Sequence, residues 1–179
     1  MTKLPLADAI LLGALALLMV GLKSLLRLKL GLAGHSMFLL VLTLLLARGL
    51  VPVRGSVLYC GLMAGLLALV LGVGKGGPLV VLKFALPALA MEAALLLLPR
   101  APWFRIQALL VALAGLTAWL LKGGVELYLA GADASVIAAQ LAWKGLGGCL
   151  FSLLGALAVP PLMSLLAHHQ LLSPRRHPQ

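Results

Sequence analysis

The chain has 179 residues, of which 63% are hydrophobic and 10% are charged, and its mean hydropathy is +1.17. A soluble domain of this size cannot bury so much apolar side chain, so the composition excludes one and predicts an all-α, polytopic membrane protein. The net charge is +10, with 14 basic and 4 acidic residues. Because the basic residues stand mostly at the ends of apolar runs, we expect them to meet the lipid bilayer and no nucleic acid.

The first apolar run predicts a membrane span over residues 6–22. Asp8 falls in its first turn, where a carboxylate suits the helix dipole. Ala9 and Gly13 are four positions apart and leave one helix face smooth enough for another helix to approach closely. This face either packs inside the protein or docks a partner.

The next segments alternate between basic connectors and apolar spans. Residues 23–35 form a basic amphipathic connector, whose leucines and cations suit the membrane interface. A second span is expected over 36–50, followed by a tight basic turn at 51–55. The third span, 56–73, carries small residues at spacings of three and four, which predicts close packing against a neighbouring helix.

The fourth span, 78–99, contains two ionisable residues, Lys83 and Glu92. The G-x-G-x-x-G pattern at 72–77 that precedes it follows a membrane helix, which favours a hairpin over a dinucleotide-binding loop. Lys83 lies near one end of the span and either snorkels to the interface or lines a site. Glu92 lies deeper and either bonds to a neighbouring helix, or stays protonated, or contacts a ligand.

The fifth span is expected over 103–121, with Trp103 and Trp119 as interfacial anchors near its ends. Residues 122–133 are the least hydrophobic part of the middle of the chain and are predicted to link two spans. Asp133 is suited to cap the helix that follows.

The last span is expected over 134–159, where Pro160 and Pro161 kink or end the helix. Residues 1–172 then form a single six-helix transmembrane domain, and 173–179 form a disordered polar tail. Six spans place both termini on one side of the cell membrane. A slight excess of basic residues on that side predicts that the termini are cytoplasmic.

The chain carries no pattern typical of catalysis or metal binding. It lacks H-E-x-x-H, G-x-S-x-G, paired carboxylates and Walker motifs. Cys60 and Cys149 lie in apolar runs without CxxC spacing, and the adjacent rings of His168 and His169 would diverge on a helix. We therefore expect no enzyme, no cofactor and no metal site, and a protein that cannot power transport by itself.

Polar and aromatic side chains collect near the outer ends of the predicted spans, where rings can sandwich a flat ligand and polar groups can orient it. Lysines inside spans favour an anionic or electron-rich small organic ligand, unless they are only interfacial anchors. With Glu92 deeper in span four, the candidate substrate-binding residues are His35, Lys83, Phe84, Glu92, Trp119, Gln140, Trp143 and Lys144.

Several of these features together resemble the substrate-binding (S) components of energy-coupling factor (ECF) vitamin transporters, which are six-helix integral proteins of about this length. The resemblance covers most of the chain. It rests on Ala9 and Gly13, the connector 23–34, the glycine-rich 61–65, the run 86–92 and the segment 144–148.

This resemblance implies that the protein captures a vitamin or a precursor near the outer face of the membrane. It would then dock through Ala9 and Gly13 onto a transmembrane coupling protein driven by two cytoplasmic ATPases. Metal-specific members of the family begin with Met and His, whereas this chain begins Met1-Thr2-Lys3, which favours an organic substrate.

Two other classes of protein fit the same pattern. A non-transporting membrane scaffold of the cell-shape type would use the small-residue faces only for helix partners. A small membrane enzyme acting on lipid head groups would draw on the basic connector and Glu92.

Overall fold

Six α-helices form the secondary structure of the computed structural model, which describes residues 5–26, 34–73, 77, 79–98 and 104–168 and has no strand among them. The predicted all-α class and the predicted number of helices are confirmed. The helices are α1 Leu6–Leu26, α2 His35–Leu50, α3 Ser56–Val70, α4 Leu79–Leu97, α5 Phe104–Leu129 and α6 Ala134–His168.

Four of these helices, α1, α4, α5 and α6, are long and apolar enough to cross a membrane. Helices α2 and α3 are also apolar but have 16 and 15 residues. At 1.5 Å per residue they cover roughly 24 and 23 Å, less than the ~30 Å of a bilayer's hydrocarbon core. The four long helices indicate a membrane protein.

Helix α2 lies at the centre of the bundle and packs against α1, α3, α5 and α6. Its leucines and valine at Leu40, Val41 and Leu44 are fully or almost fully buried. The outer faces of α1, α5 and α6 carry exposed apolar side chains, such as Leu17 and Leu146. This distribution suits a bundle whose outer surface contacts lipid acyl chains.

Small residues allow the close helix packing that the sequence predicted for α3. A Cβ atom added to Gly65 would lie 3.0 Å from the backbone of Val81 on α4. Gly34, with φ of 84°, begins α2 directly against the backbone of Gly148 on α6, where no side chain fits. Glycines thus set the spacing of α3 from α4 and of α2 from α6.

Helices α1 and α5 extend beyond their predicted ends. Helix α1 continues to Leu26, so Lys23 lies in its last turn and not in a connector. Helix α5 continues to Leu129, through a stretch that was expected to be a link. Lys122 and Glu126 form an ion pair one turn apart within it, a spacing that stabilises a helix despite the lower hydrophobicity.

Helix α6 continues through Pro160 and Pro161, so the prolines do not end it there. Proline removes a backbone donor, but its fixed φ of about −65° is compatible with a helix. Met163, just beyond them, packs against Gly49 of α2. At the other end, the Asp133 carbonyl accepts a hydrogen bond of 3.0 Å from the Ile137 amide, which places Asp133 at the predicted capping position.

Several predicted features lie outside the described residues. They are the connector beyond Leu26, the centre of the hairpin at 74–76, the polar tail, Lys3 and Trp103.

Candidate functional site

Five helices and Val73, in the segment after α3, converge around a cavity of about 450 Å³. The lining comes from the last turn of α1, the first turn of α2, the first two turns of α4, the second half of α5 and the first third of α6. This arrangement requires the helices to alternate in direction. The volume lies within the range of small-molecule sites, ~300–1,000 Å³. We call this end of the bundle the cavity end.

Positive charge dominates the described lining of the cavity. Lys23, Lys83, Lys122 and Lys144 lie around it on four different helices, and Glu126 is the single carboxylate among the lining residues. Glu126 is paired with Lys122 on the same helix. Because low-dielectric walls strengthen such a field, the cavity favours a ligand with a negative charge.

Two of the lysines are held in place by neighbouring side chains. The Lys23 ammonium lies 4.4 Å from the centre of the Phe84 ring, within the range of a cation–π contact. The Lys144 ammonium donates a hydrogen bond of 3.1 Å to the Gln140 carbonyl oxygen, one helical turn away. These contacts position cationic groups at the cavity before any ligand arrives.

Aromatic and aliphatic side chains form the rest of the wall. Phe84 is 2% exposed, and its ring lies beneath the Lys23 ammonium of α1. Trp119 and Leu120 enter from α5, and Leu141 enters from α6. The cavity therefore combines cations with apolar surface, which suits an organic anion better than a small inorganic one.

Five of the eight predicted substrate-binding residues line this cavity. They are His35, Lys83, Phe84, Trp119 and Lys144.

The other three predicted residues do not line it. Gln140 accepts the hydrogen bond from Lys144 and so contacts the site indirectly. Trp143 is 70% exposed, because one step along α6 turns a side chain by about 100° from its neighbour Lys144. Glu92 lies on the second half of α4, at the opposite end of the bundle.

Glu92 bonds to the beginning of α3. Its carboxyl oxygens accept hydrogen bonds from the amides of Gly55, at 2.7 Å, and Val57, at 3.1 Å. The side chain is 5% exposed. The first amides of a helix have no partner within it, so a carboxyl group there satisfies them and suits the helix dipole. This geometry matches the expectation that Glu92 bonds to a neighbouring helix.

The eight predicted substrate-binding residues omit Lys23, Lys122 and Glu126. From sequence, Lys122 was expected at the same outer level of the membrane and Lys23 in the adjacent connector, whereas Glu126 was assigned to a polar link, because hydrophobicity falls at these places. The spacing of Lys122 and Glu126 was the available signal, since opposite charges four residues apart favour a helix. A longer α5 would have placed both at the cavity.

The predicted docking residues lie on α1. Gly13 is half-buried, and a Cβ atom added there would meet no described atom within 4 Å. Ala9, one turn earlier, is also half-buried. The described neighbours of α1 therefore leave space beside Gly13.

Comparison with known proteins found no matching family model, no similar curated protein and no similar solved structure. Fold and site define the protein as a helical membrane protein with a cationic, aromatic-walled cavity at one end of its bundle.

Proposed function

We propose that this protein is the substrate-capture membrane subunit of an ECF-type importer, and that it binds a small organic micronutrient in the cavity. The observation that carries the proposal is the convergence of Lys83, Trp119 and Lys144, from α4, α5 and α6, on one cavity. Lysines that served only to extend their ammonium groups to the membrane interface would not need to converge on one cavity. Aromatic rings beside fixed cations suit capture of a vitamin-sized anion.

The proposal includes an orientation in the membrane. The cavity end faces outward, both termini are cytoplasmic, and all six helices belong to the membrane domain, with α2 and α3 surrounded by longer helices. The residue pattern of the chain supplies no means of hydrolysing ATP, so two cytoplasmic ATPases act through a transmembrane coupling protein. Space beside Gly13 supports α1 as the face that this coupling protein contacts.

A thermal-shift screen of the purified protein in nanodiscs tests the capture function. The panel consists of vitamins and their precursors, anionic and neutral, each at about 100 times the expected Kd, where one bound ligand stabilises by about 2.7 kcal/mol. We expect an anionic organic compound to raise the Tm. Lys83→Met should reduce the shift, whereas Trp143→Ala, outside the cavity, should leave it unchanged.

Two results would overturn the proposal. No stabilisation by any compound in the panel would favour a membrane scaffold, which needs no small ligand. Stabilisation accompanied by chemical conversion of a lipid head group would favour an enzyme. Co-purification with a coupling protein and two ATPases would support the importer.

A further inference from the structure

A second concave surface lies on the outer side of the bundle, between α5 and α6, and adjoins the cavity. It is a groove of about 470 Å³. Leu120 and Leu141 line both the groove and the cavity, so these two side chains form a common wall between them. A molecule that passed between the two leucines would occupy both spaces at once.

The two spaces differ in chemistry. The groove is lined by Leu121, Val125 and Tyr128, which are exposed on the surface, and by Thr117. The Thr117 hydroxyl donates to the Ala114 carbonyl at 2.8 Å, so this polar group is already satisfied. No charged side chain appears among the described residues that line the groove, whereas four lysines line the cavity.

The wall between the two spaces rests on glycines. A Cβ atom added to Gly124 of α5 would lie 3.3 Å from a methyl carbon of Leu141, and one added to Gly145 of α6 would lie 3.6 Å from a methyl carbon of Leu120. Each leucine thus covers a glycine of the other helix. Only the two leucine side chains separate the spaces, so a change of their rotamers would connect them without displacing either backbone.

From this arrangement we propose that the ligand is a single-chain amphiphilic anion. Its negatively charged head lies in the cavity among the lysines, and its apolar chain passes between Leu120 and Leu141 into the groove. The inference rests on the proposed capture function and specifies the substrate class. Because the groove lies on the outer side of α5 and α6, the apolar chain of the ligand can enter it directly from the bilayer.

Adjacent glycines on α5 allow head and chain to be tested separately. Gly123 lines the cavity, and a Cβ atom there would meet no described atom within 4 Å. Gly124 lines the groove. Gly123→Leu therefore fills the cavity, whereas Gly124→Leu fills the groove and presses on Leu141 from the groove side. Both variants make the same change in composition and in helix propensity.

The experiment measures binding of butyrate, hexanoate and octanoate to the protein in phosphatidylcholine nanodiscs, referred to the free aqueous concentration of each. We expect the affinity of the wild-type protein to rise roughly fourfold for each methylene group that enters the groove. In Gly124→Leu, the affinity for butyrate should stay as in the wild type, but the affinity should no longer increase with chain length. Gly123→Leu should weaken all three ligands. Octanol and octylamine, which lack the negative head, should bind at least tenfold more weakly than octanoate.

Three results would overturn the inference. One is a wild-type affinity that does not depend on chain length, and another is a rise that persists in Gly124→Leu. The third is loss of the difference between wild type and Gly124→Leu when a third of the lipid is phosphatidylglycerol, since a phospholipid would then occupy the groove. If the protein binds a vitamin but its affinity for the three carboxylates does not depend on their chain length, only this inference is refuted and the proposed capture function stands. If no ligand binds in either panel, the proposed capture function fails as well.

Discussion

The two ends of the bundle use ionisable side chains in opposite ways. At the cavity end, lysines from four helices surround open space and outnumber the one carboxylate among them. At the other end, the Glu92 carboxyl group is enclosed by protein and accepts hydrogen bonds from the first amides of α3. Charge inside a membrane bundle thus indicates a binding site only where it borders a cavity. Where backbone donors surround it, it stabilises the fold.

Replacement of Glu92 should have the largest effect on stability. Glu92→Ala leaves the partly buried amide of Gly55 and the buried amide of Val57 without an acceptor, and we expect the free energy of unfolding to fall by about 2–3 kcal/mol. Glu92→Gln keeps one acceptor oxygen and should lose less. Thermal unfolding in nanodiscs measures both.

Glu126→Ala provides the matched control for Glu92→Ala. Glu126 is a half-exposed partner in an ion pair within one helix, a type of pair that contributes about 0.3–0.5 kcal/mol. If the two glutamate variants were equally stable, the contrast between the two ends of the bundle would be wrong.

Removal of the cavity cations should have the next largest effect, and the affected quantity should be the affinity for the ligand. Lys83→Met and Lys144→Met keep chain length and apolar volume but remove the charge. We expect each to weaken binding of an anionic ligand by about 10- to 100-fold, since a hydrogen bond to a charged group contributes about 1.5–3 kcal/mol. Titration calorimetry with the compound found in the screen measures the change, while Tm without ligand should stay within about 2 °C of wild type.

Arg54→Met is the control, since Arg54 is exposed in the turn before α3, at the end opposite the cavity. Equal loss of affinity in Arg54→Met and Lys83→Met would mean that overall charge, and not the cavity, attracts the ligand.

Replacing the two tryptophans near the cavity end should change ligand affinity less than removing a lysine does, and the two variants should differ from each other. Trp119 lines the cavity, and Trp119→Ala should weaken binding several-fold through loss of apolar contact. Trp143 is mostly exposed, and Trp143→Ala should leave affinity unchanged. Tryptophan fluorescence of the two variants reports which ring responds to ligand. Quenching that survives in Trp119→Ala but disappears in Trp143→Ala would place the ligand on the outer face of α6.

The smallest effect on the isolated protein should come from Gly13→Leu. The described structure has space for the new side chain, so fold and ligand affinity should remain. We expect association with the coupling protein to be lost, because close approach of helices requires a small residue. Pull-down of the assembled complex tests this, with Gly21→Leu as control, since Gly21 also lies on α1 with open space beside it. A complex that assembles normally with Gly13→Leu would place the docking face elsewhere.

The sequence indicated the number of helices more reliably than their ends. Apolar runs identified all six, because helices that pack in an apolar core or contact lipid carry uninterrupted hydrophobic segments. The ends of the helices depended on local interactions that a hydrophobicity pattern does not reveal. Lys122 and Glu126 extend α5, and helical φ values carry α6 through Pro160 and Pro161.

The sequence likewise identified some of the residues that line the cavity but not the direction in which every candidate side chain points. His35 and Lys83 were recognisable because polar and ionisable residues beside or within apolar runs are costly unless they have partners. Trp119 was recognisable because tryptophan favours the ends of membrane spans. Trp143 and Glu92 met the same criteria, yet neither lines the cavity. The criteria identify unusual residues, but they do not give the direction in which a side chain points.

The sequence by itself determined that this is a helical membrane protein with a strongly basic character, because composition and run length are properties of the chain alone. Only the tertiary structure decided which ionisable groups share a cavity and which one caps a helix. That choice depends on the rotation of each helix about its axis. The rotation is set by contacts between helices, such as those of Gly34 with Gly148 and Gly65 with Val81, which join residues far apart in the chain.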